Sequence, residues 1–156
     1  MRGTRFIVQS SIIATIYTVL TIAFAPISYG EIQVRISEAL TILPYFTPAA
    51  IPGLFVGCLI ANMLSPVGVF DVIFGSLASL IAAYMSYKMP KKWLVPIPPI
   101  IVNAIVVGLL LRYAYSLPIP LALLMLYVAI GQIIACYGLG YPLLIILNRY
   151  KNKIFK

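Results

Sequence analysis

Most of the basic residues lie in three short segments, and long apolar runs lie between these segments. The segments 1–5, 88–92 and 149–156 carry two, three and four Lys or Arg residues. A helix that crosses a bilayer needs about 20 mostly apolar residues. The uncharged runs that remain are 6–30, 39–70, 72–87, 93–111 and 113–148. This pattern predicts an all-α integral membrane protein.

Composition supports this fold class and excludes others. Of 156 residues, 63% are hydrophobic and only 9% are charged, whereas soluble domains carry about 25% charged residues. We therefore expect residues 1–156 to form a single transmembrane domain, whose first apolar run is a spanning helix and not a cleaved signal. Although the net charge is +8, the basic residues lie between apolar runs, as the positive-inside rule predicts. Nucleic acid is therefore not an expected partner, but membrane lipid is.

The basic segments also predict the number of crossings. Because all three should face the cytoplasm, an even number of crossings must separate each from the next. The run 39–70 must then cross twice, and Pro44, Pro48, Pro52 and Gly53 provide the break. We expect short helices at 37–47 and 51–64. The last apolar run should form one long helix, with its core at 118–148 and a kink near Gly138 and Gly140, and the runs 72–87 and 93–111 should each cross once. The total is six transmembrane helices, with both termini cytoplasmic.

With this topology, the remaining polar residues become candidates for a site that opens outward. Arg35, Arg112 and all three carboxylates lie at the outer ends of helices. Ionisable residues beside long apolar runs normally face the interior of a helix bundle or a wet cavity. Amides in hydrocarbon are also expected to point inward, toward polar partners. The carboxylates are Glu31, Glu38 and Asp71, and the amides are Asn62, Asn103 and Gln132.

Small residues recur every fourth position along the first helix, at Ser10, Ala14 and Thr18. Such stripes let membrane helices approach closely, either inside the protein or against a partner.

Cys58 and Cys136 lie in apolar runs, and we interpret them as small buried residues rather than a disulfide. The sequence has no His and no Gly-rich phosphate loop, so we expect no metal and no cofactor. Energy for uphill transport would have to come from a partner subunit or an ion gradient.

Two stretches resemble a known family. Tyr29–Asn62 reads YGEIQVRISEALTILPYFTPAAIPGLFVGCLIAN, and Asp71–Leu80 reads DVIFGSLASL. Both are similar to the QueT family, whose members are substrate-binding subunits (S components) of energy-coupling factor (ECF) transporters. The similarity covers nearly the whole chain and weakens after residue 93. It implies six helices, a cell-membrane location, and docking to a coupling transmembrane subunit and two ATPase subunits. The stripe of Ser10, Ala14 and Thr18 would be the docking face.

The family resemblance also implies a substrate, namely a queuosine precursor of the 7-deazaguanine type, such as queuine or its aminomethyl precursor. A carboxylate such as Glu38 can accept the paired N–H groups of a guanine-like edge, and an amide can donate to its carbonyl. Asp71 would meet a cationic amine, Arg35 would brace Glu38 from one helical turn away, and a tyrosine would stack on the ring. The expected substrate-binding residues are Glu38, Arg35, Asn62, Asp71, Asn103, Gln132, Tyr29, Tyr45 and Tyr127.

Three alternatives remain open at this point. The chain could be an S component for another flat polar metabolite, such as a vitamin or tryptophan. It could be a membrane-embedded enzyme that uses Glu38 and Asp71 as an acid–base pair, although no nucleophile or metal set accompanies them. It could also be a scaffold bundle without a ligand.

Overall fold

The computed structural model describes residues 2–29, 34–65 and 68–154, and every regular element in these ranges is helical. The all-α prediction is therefore confirmed for the described part of the chain. Glu31, one of the predicted outer carboxylates, lies outside these ranges. The seven α-helices are α1 Arg2–Ala23, α2 Ala25–Ser28, α3 Ala50–Asn62, α4 Ser76–Tyr87, α5 Ile97–Tyr113, α6 Leu121–Ile133 and α7 Tyr141–Ile154.

The proline-rich segment folds as two short helices, as predicted, but the first is not an α-helix. Ile36–Tyr45 forms a 3₁₀ helix, and α3 follows after the turn at 46–49. Proline lacks the N–H that an α-helix uses and clashes with the carbonyl four residues earlier, so Pro44 disfavours α geometry here. With a rise of about 2.0 Å per residue, the ten residues of this 3₁₀ helix span about 20 Å, the length of an α-helix of about 13 residues.

The C-terminal run forms one continuous helix over Leu121–Asn152, starting three residues later than expected. A π-helical segment, Ile134–Gly140, joins α6 to α7 at the place where the glycines predicted a kink. Gly140 lies against the 3₁₀ helix, and a Cβ there would lie 3.1 Å from the Ala39 carbonyl oxygen. A second π-helical segment, Asp71–Gly75, leads into α4. Single-turn π segments of this kind occur frequently at functional sites.

The described parts of the three basic segments lie toward one end of the bundle, which we call the basic end. Lys92 and Lys151 line one cavity there together with Tyr45 and Phe46. The next residue, Thr47, donates a hydrogen bond to Gln9 of α1 over 3.2 Å, so the N-terminal part of α1 lies at the same end. This arrangement agrees with the even number of crossings that the charges require.

The stripe of small residues on α1 packs inside the protein, against α3. The Ser10 and Ala14 carbonyl oxygens would lie only 2.8 Å from a Cβ added at Gly53 and Gly57, respectively. The Ser10 hydroxyl donates to the Ala49 carbonyl, and the Thr18 hydroxyl donates to the Gly57 carbonyl. The face predicted to dock a partner is therefore occupied by α3, because the glycines of α3 let the two backbones touch.

The opposite face of α1 is exposed and apolar, as expected for contact with lipid. Ile12, Ile16 and Val19 are 44–57% exposed, and similar side chains cover the outer surface of the other long helices. Within the described residues, three helices are long and apolar enough to span a membrane, over Gly3–Ala23, Lys92–Tyr113 and Leu121–Asn152. Ala50–Asn62 and Asp71–Tyr87 are shorter apolar helices. The fold is that of a helical membrane protein.

Candidate functional site

Glu38 is the most buried carboxylate among the described residues, with 1% of its surface exposed. Its Oε1 accepts a hydrogen bond from the Tyr17 hydroxyl at 2.5 Å, and its Oε2 accepts one from the Asn103 amide at 3.3 Å. Asn103 lies halfway along the Lys92–Tyr113 span, so Glu38 sits deep in the bundle. The topology inferred from the basic segments predicts Glu38 at the outer end of a helix, whereas the structure places its carboxylate beside a residue at mid-span.

The Ile134–Gly140 segment closes one side of the Glu38 site. The Cys136 thiol lies 3.7 Å from both the Glu38 carbonyl oxygen and the Thr41 hydroxyl. Cys136 also donates to the Gln132 side-chain oxygen at 3.5 Å. Gln132 and Asn103 are both buried, as predicted for amides that point inward. The structure therefore gathers Glu38, Asn103 and Gln132 around one region of the interior.

A second polar cluster is built around an ion pair between Arg35 and Asp71. The Arg35 Nη2 lies 3.4 Å from the Asp71 Oδ2, and both side chains are 5% exposed. The Arg35 Nε donates to the Ser28 carbonyl at 3.3 Å, and the guanidinium lies over the Tyr29 ring, 5.4 Å from its centroid. The Tyr29 hydroxyl donates to the Ala61 carbonyl at 2.6 Å. These contacts tie the chain after α2 to the end of α3.

Arg35 was expected to brace Glu38, and the structure corrects this. The Arg35 carbonyl accepts a hydrogen bond from the Glu38 N–H at 3.0 Å, but the Arg35 backbone is extended, with φ −86° and ψ 104°. None of the hydrogen bonds that its side chain makes among the described residues goes to Glu38. Its side chain turns instead toward Asp71. That ion pair also neutralises the charge with which Asp71 was predicted to meet a ligand amine.

Asn62 and Cys58 connect the ion pair to the core. The Asn62 amide donates to the Asp71 carbonyl at 3.0 Å, while its buried Oδ1 has no hydrogen-bond partner among the described residues. The Cys58 thiol lies 3.1 Å from the Ser79 hydroxyl and within hydrogen-bonding range of Tyr17. Because Tyr17 also holds Glu38, the two clusters are adjacent and share one wall.

Two of the predicted tyrosines lie elsewhere. Tyr45 is at the basic end, where its ring packs edge-on against Phe46 at 5.3 Å between centroids. It lines the cavity with Lys92 and Lys151, away from the polar clusters. Tyr127 is half-buried on α6, and no hydrogen bond links it to Glu38, which bonds to Tyr17 and Asn103. Of the three candidates for stacking, Tyr29 is the one that lies beside a polar cluster.

Tyr17 is the residue of this site that the sequence did not indicate. It lies in the middle of an apolar run, and it is fully buried. A signal was present, since Tyr17 is three positions from Ala14 on the face of α1 that carries the small residues. A large aromatic with a hydroxyl on a close-packed face must find a buried partner, and Glu38 is that partner. Cys58, Ser79 and Thr41 are further contributors that were not predicted.

The fold and the site together define a helical membrane protein with a buried carboxylate held by hydrogen-bond donors. The family model described as QueT transporter matches residues 7–149. The chain belongs to the QueT transporter family, which places it among transporters rather than enzymes.

One curated relative bears on the substrate. The chain is 42% identical over 77 residues to the "Queuosine precursor transporter QueT" of Lactococcus lactis subsp. cremoris (strain MG1363). That alignment covers 48% of this chain and 45% of the relative, so the chain spans about half the length of the relative it matches. No solved structure matches the chain.

Proposed function

We propose that this protein is the substrate-binding transmembrane subunit of an ECF-type importer, and that it takes up a queuosine precursor of the 7-deazaguanine type. Membership of the QueT transporter family supports the transport role, and the name of the Lactococcus relative, a queuosine precursor transporter, supports the substrate. The observation that carries the proposal is the buried Glu38 carboxylate with Asn103 and Gln132 beside it. A membrane bundle retains such a group only where it has a polar partner or a function.

The chemistry of this site suits a guanine-like edge. An ionised carboxylate offers about four acceptor positions, and Tyr17 and Asn103 use two of those on Glu38. Two positions are left for the ring N–H and the exocyclic amine of a deazaguanine. The amide N–H groups of Asn103 and Gln132 are then the donors for the ring carbonyl. The unpartnered Oδ1 of Asn62 supplies a further acceptor.

The Arg35–Asp71 cluster forms the outer wall of this proposed site. Since Asp71 is already paired, we assign it to holding Arg35, and Arg35 in turn to holding Tyr29. The Tyr29 ring is then the stacking surface for the flat ligand. Tyr45 is left out of the proposed site because it lines the cavity at the basic end. Tyr127 is left out because it makes no hydrogen bond to Glu38, whose carboxylate bonds to Tyr17 and Asn103.

For the topology, we propose six crossings with both termini in the cytoplasm. These are α1, the 3₁₀ helix, α3, α4 with its π segment, α5, and the continuous helix α6–α7. The gathering of the basic segments at one end supports an even count. The 3₁₀ helix and the 13-residue α3 are shorter than the roughly 30 Å core of a bilayer, so local thinning would accommodate them.

For the energy source, we propose the coupling subunit and two ATPases that the family resemblance implies. The sequence contains no nucleotide-binding loop, which is consistent with energy from partners. Because α3 covers the stripe of Ser10, Ala14 and Thr18, we place the docking face on the other side of α1, around Ser11 and Thr15. Both residues are small and exposed.

Isothermal titration of the purified protein with queuine, its aminomethyl precursor, riboflavin and tryptophan tests the substrate. We expect heat of binding with a deazaguanine and none with the others. If only riboflavin or tryptophan binds, the proposed substrate is wrong, but the assignment as a transporter stands.

Uptake in cells with and without the coupling subunit and ATPases tests the energy source, and uptake that persists without them contradicts the ECF assignment.

A further inference from the structure

We propose that the cavity at the basic end binds the phosphate group of an anionic phospholipid. The cavity has a volume of about 430 Å³ and is formed by the 3₁₀ helix, the start of the α5 span and the end of α7. Its described lining residues are Tyr45, Phe46, Lys92, Asn148, Lys151 and Asn152. This inference requires the membrane location of the protein, but it does not depend on the identity of the transported substrate.

The charge of the cavity favours an anion. Lys92 and Lys151 line it from two different helices, and the two described carboxylates are used elsewhere. Glu38 accepts hydrogen bonds from Tyr17 and Asn103, and Asp71 pairs with Arg35. The cavity therefore holds two ammonium groups with no carboxylate partner among the described residues.

The position of the cavity favours a lipid over a soluble anion. Lys92 is the first residue of one apolar span, and Asn152 is the last residue of another. The cavity thus lies at the boundary of the apolar zone, where lipid phosphates are found. Trp93, next to Lys92, is 52% exposed, and exposed tryptophans are enriched at this depth in membrane proteins.

The donors and the aromatic wall match a lipid headgroup. Each lysine offers three N–H donors and each amide two, all of which suit phosphate oxygens. Asn148 and Asn152 are one helical turn apart, so they present their amides on one face of α7. The edge-on pair of Tyr45 and Phe46 gives the cavity an apolar side. A glycerol backbone and the start of an acyl chain can cover that side, whereas inorganic phosphate has no apolar part to place there.

The test is native mass spectrometry of the intact protein in detergent, titrated with dioleoyl phosphatidylglycerol and, in parallel, with dioleoyl phosphatidylcholine. The double variant Lys92→Gln, Lys151→Gln removes the two cavity charges. Lys91→Gln, Arg149→Gln removes one charge from each of the same two basic segments, but at exposed residues that do not line the cavity. All four side chains are exposed, so folding should persist, and a melting curve for each variant checks this.

We expect phosphatidylglycerol affinity to fall about 25-fold in the cavity variant, since each lysine near an anionic lipid contributes about fivefold. The control variant should lose much less, and phosphatidylcholine should bind weakly to all. Equal losses in the two variants would overturn the proposal in favour of diffuse charge attraction. Inorganic phosphate that displaces the lipid at equal concentration would also overturn it, because a soluble anion would then be the ligand.

Discussion

The Tyr17 hydroxyl and the Glu38 carboxylate are joined by a 2.5 Å hydrogen bond between the first helix and the 3₁₀ helix. Both residues are almost completely buried. A buried carboxylate without hydrogen bonds is strongly unfavourable, so Tyr17, together with Asn103, stabilises Glu38 at this depth. The pair links the packing of α1 to the chemistry of the proposed site, and the first two predictions separate these roles.

The first prediction is that Glu38→Gln weakens deazaguanine binding but leaves the fold intact. The variant removes the charge and turns one acceptor into a donor, which opposes one of the ligand N–H groups. Hydrogen bonds to a charged group contribute about 1.5–3 kcal/mol, so a loss of at least about 30-fold is expected once the mismatch is added. Titration calorimetry measures the affinity.

The melting temperature of Glu38→Gln without ligand is its control. The Tyr17 hydroxyl can accept as well as donate, so the new amide can face Tyr17 with its NH₂ and Asn103 with its oxygen. A nearly unchanged melting temperature is therefore expected. Normal affinity would remove Glu38 from the site, and early melting would make its role structural.

The second prediction is that Tyr17→Phe destabilises the protein, in contrast to Glu38→Gln. The variant keeps the ring but leaves the carboxylate without its shortest hydrogen bond. The expected loss is about 1.5–3 kcal/mol of unfolding free energy, measured by chemical denaturation in detergent. In the double variant with Glu38→Gln, most of this loss should disappear, because the buried charge is gone. Additive losses would show that the hydroxyl acts on something other than Glu38.

The third prediction concerns the Arg35–Asp71 ion pair. Removing one partner leaves a buried charge alone, at a cost of about 3–5 kcal/mol. Arg35→Met and Asp71→Asn should therefore each melt much earlier than the unchanged protein. The double variant leaves no charge unpaired and should recover a large part of that stability. A double variant as unstable as the sum of the singles would mean that the two side chains stabilise the fold independently.

The sequence predicts the features that follow from the cost of polar groups in a bilayer, but it does not predict those that depend on irregular backbone geometry. The long uncharged runs and the burial of the three amides follow from the cost of polar groups in hydrocarbon, and the break at Pro44–Gly53 follows from the positions of the basic segments and from proline geometry. The depth of Glu38 and the partner of Arg35 did not follow. The partner of Arg35 depends on the extended backbone before the 3₁₀ helix, and the depth of Glu38 depends on which helix packs beside it. Neither feature has a periodic signature in the sequence.

The stripe on α1 shows a second limit. The spacing of Ser10, Ala14 and Thr18 predicts a close contact between helices, but it does not identify the helix that packs against them. Gly53 and Gly57 provide the complementary surface on α3, and their four-residue spacing matches that of the stripe. Comparing the two stripes would have favoured an internal contact over a partner.

The fourth prediction is the topology. The loop at 88–92 should face the cytoplasm and Ser116 should face outside. Pro90→Cys and Ser116→Cys, introduced singly, are treated in intact cells with a membrane-impermeant thiol reagent. Cys58 and Cys136 are buried, so the unchanged protein should label little and serves as the background. Labelling at 116 but not at 90 is expected, and labelling of position 90 from outside would contradict the proposed topology, in which the loop at 88–92 is cytoplasmic.

The fifth prediction separates packing from docking on α1. Ala14 is 7% exposed and its backbone touches Gly57 of α3, so Ala14→Trp forces the two helices apart. It should lower the melting temperature strongly and abolish ligand binding together with transport. Thr15→Trp adds the same bulk one position along, on the exposed face, where the isolated protein has room for it. This variant should melt normally and bind the deazaguanine normally, yet lose uptake in cells that contain the coupling subunit and ATPases. If Thr15→Trp transports at the normal rate, the docking face lies on another helix, because a tryptophan at the contact would block close approach of the partner.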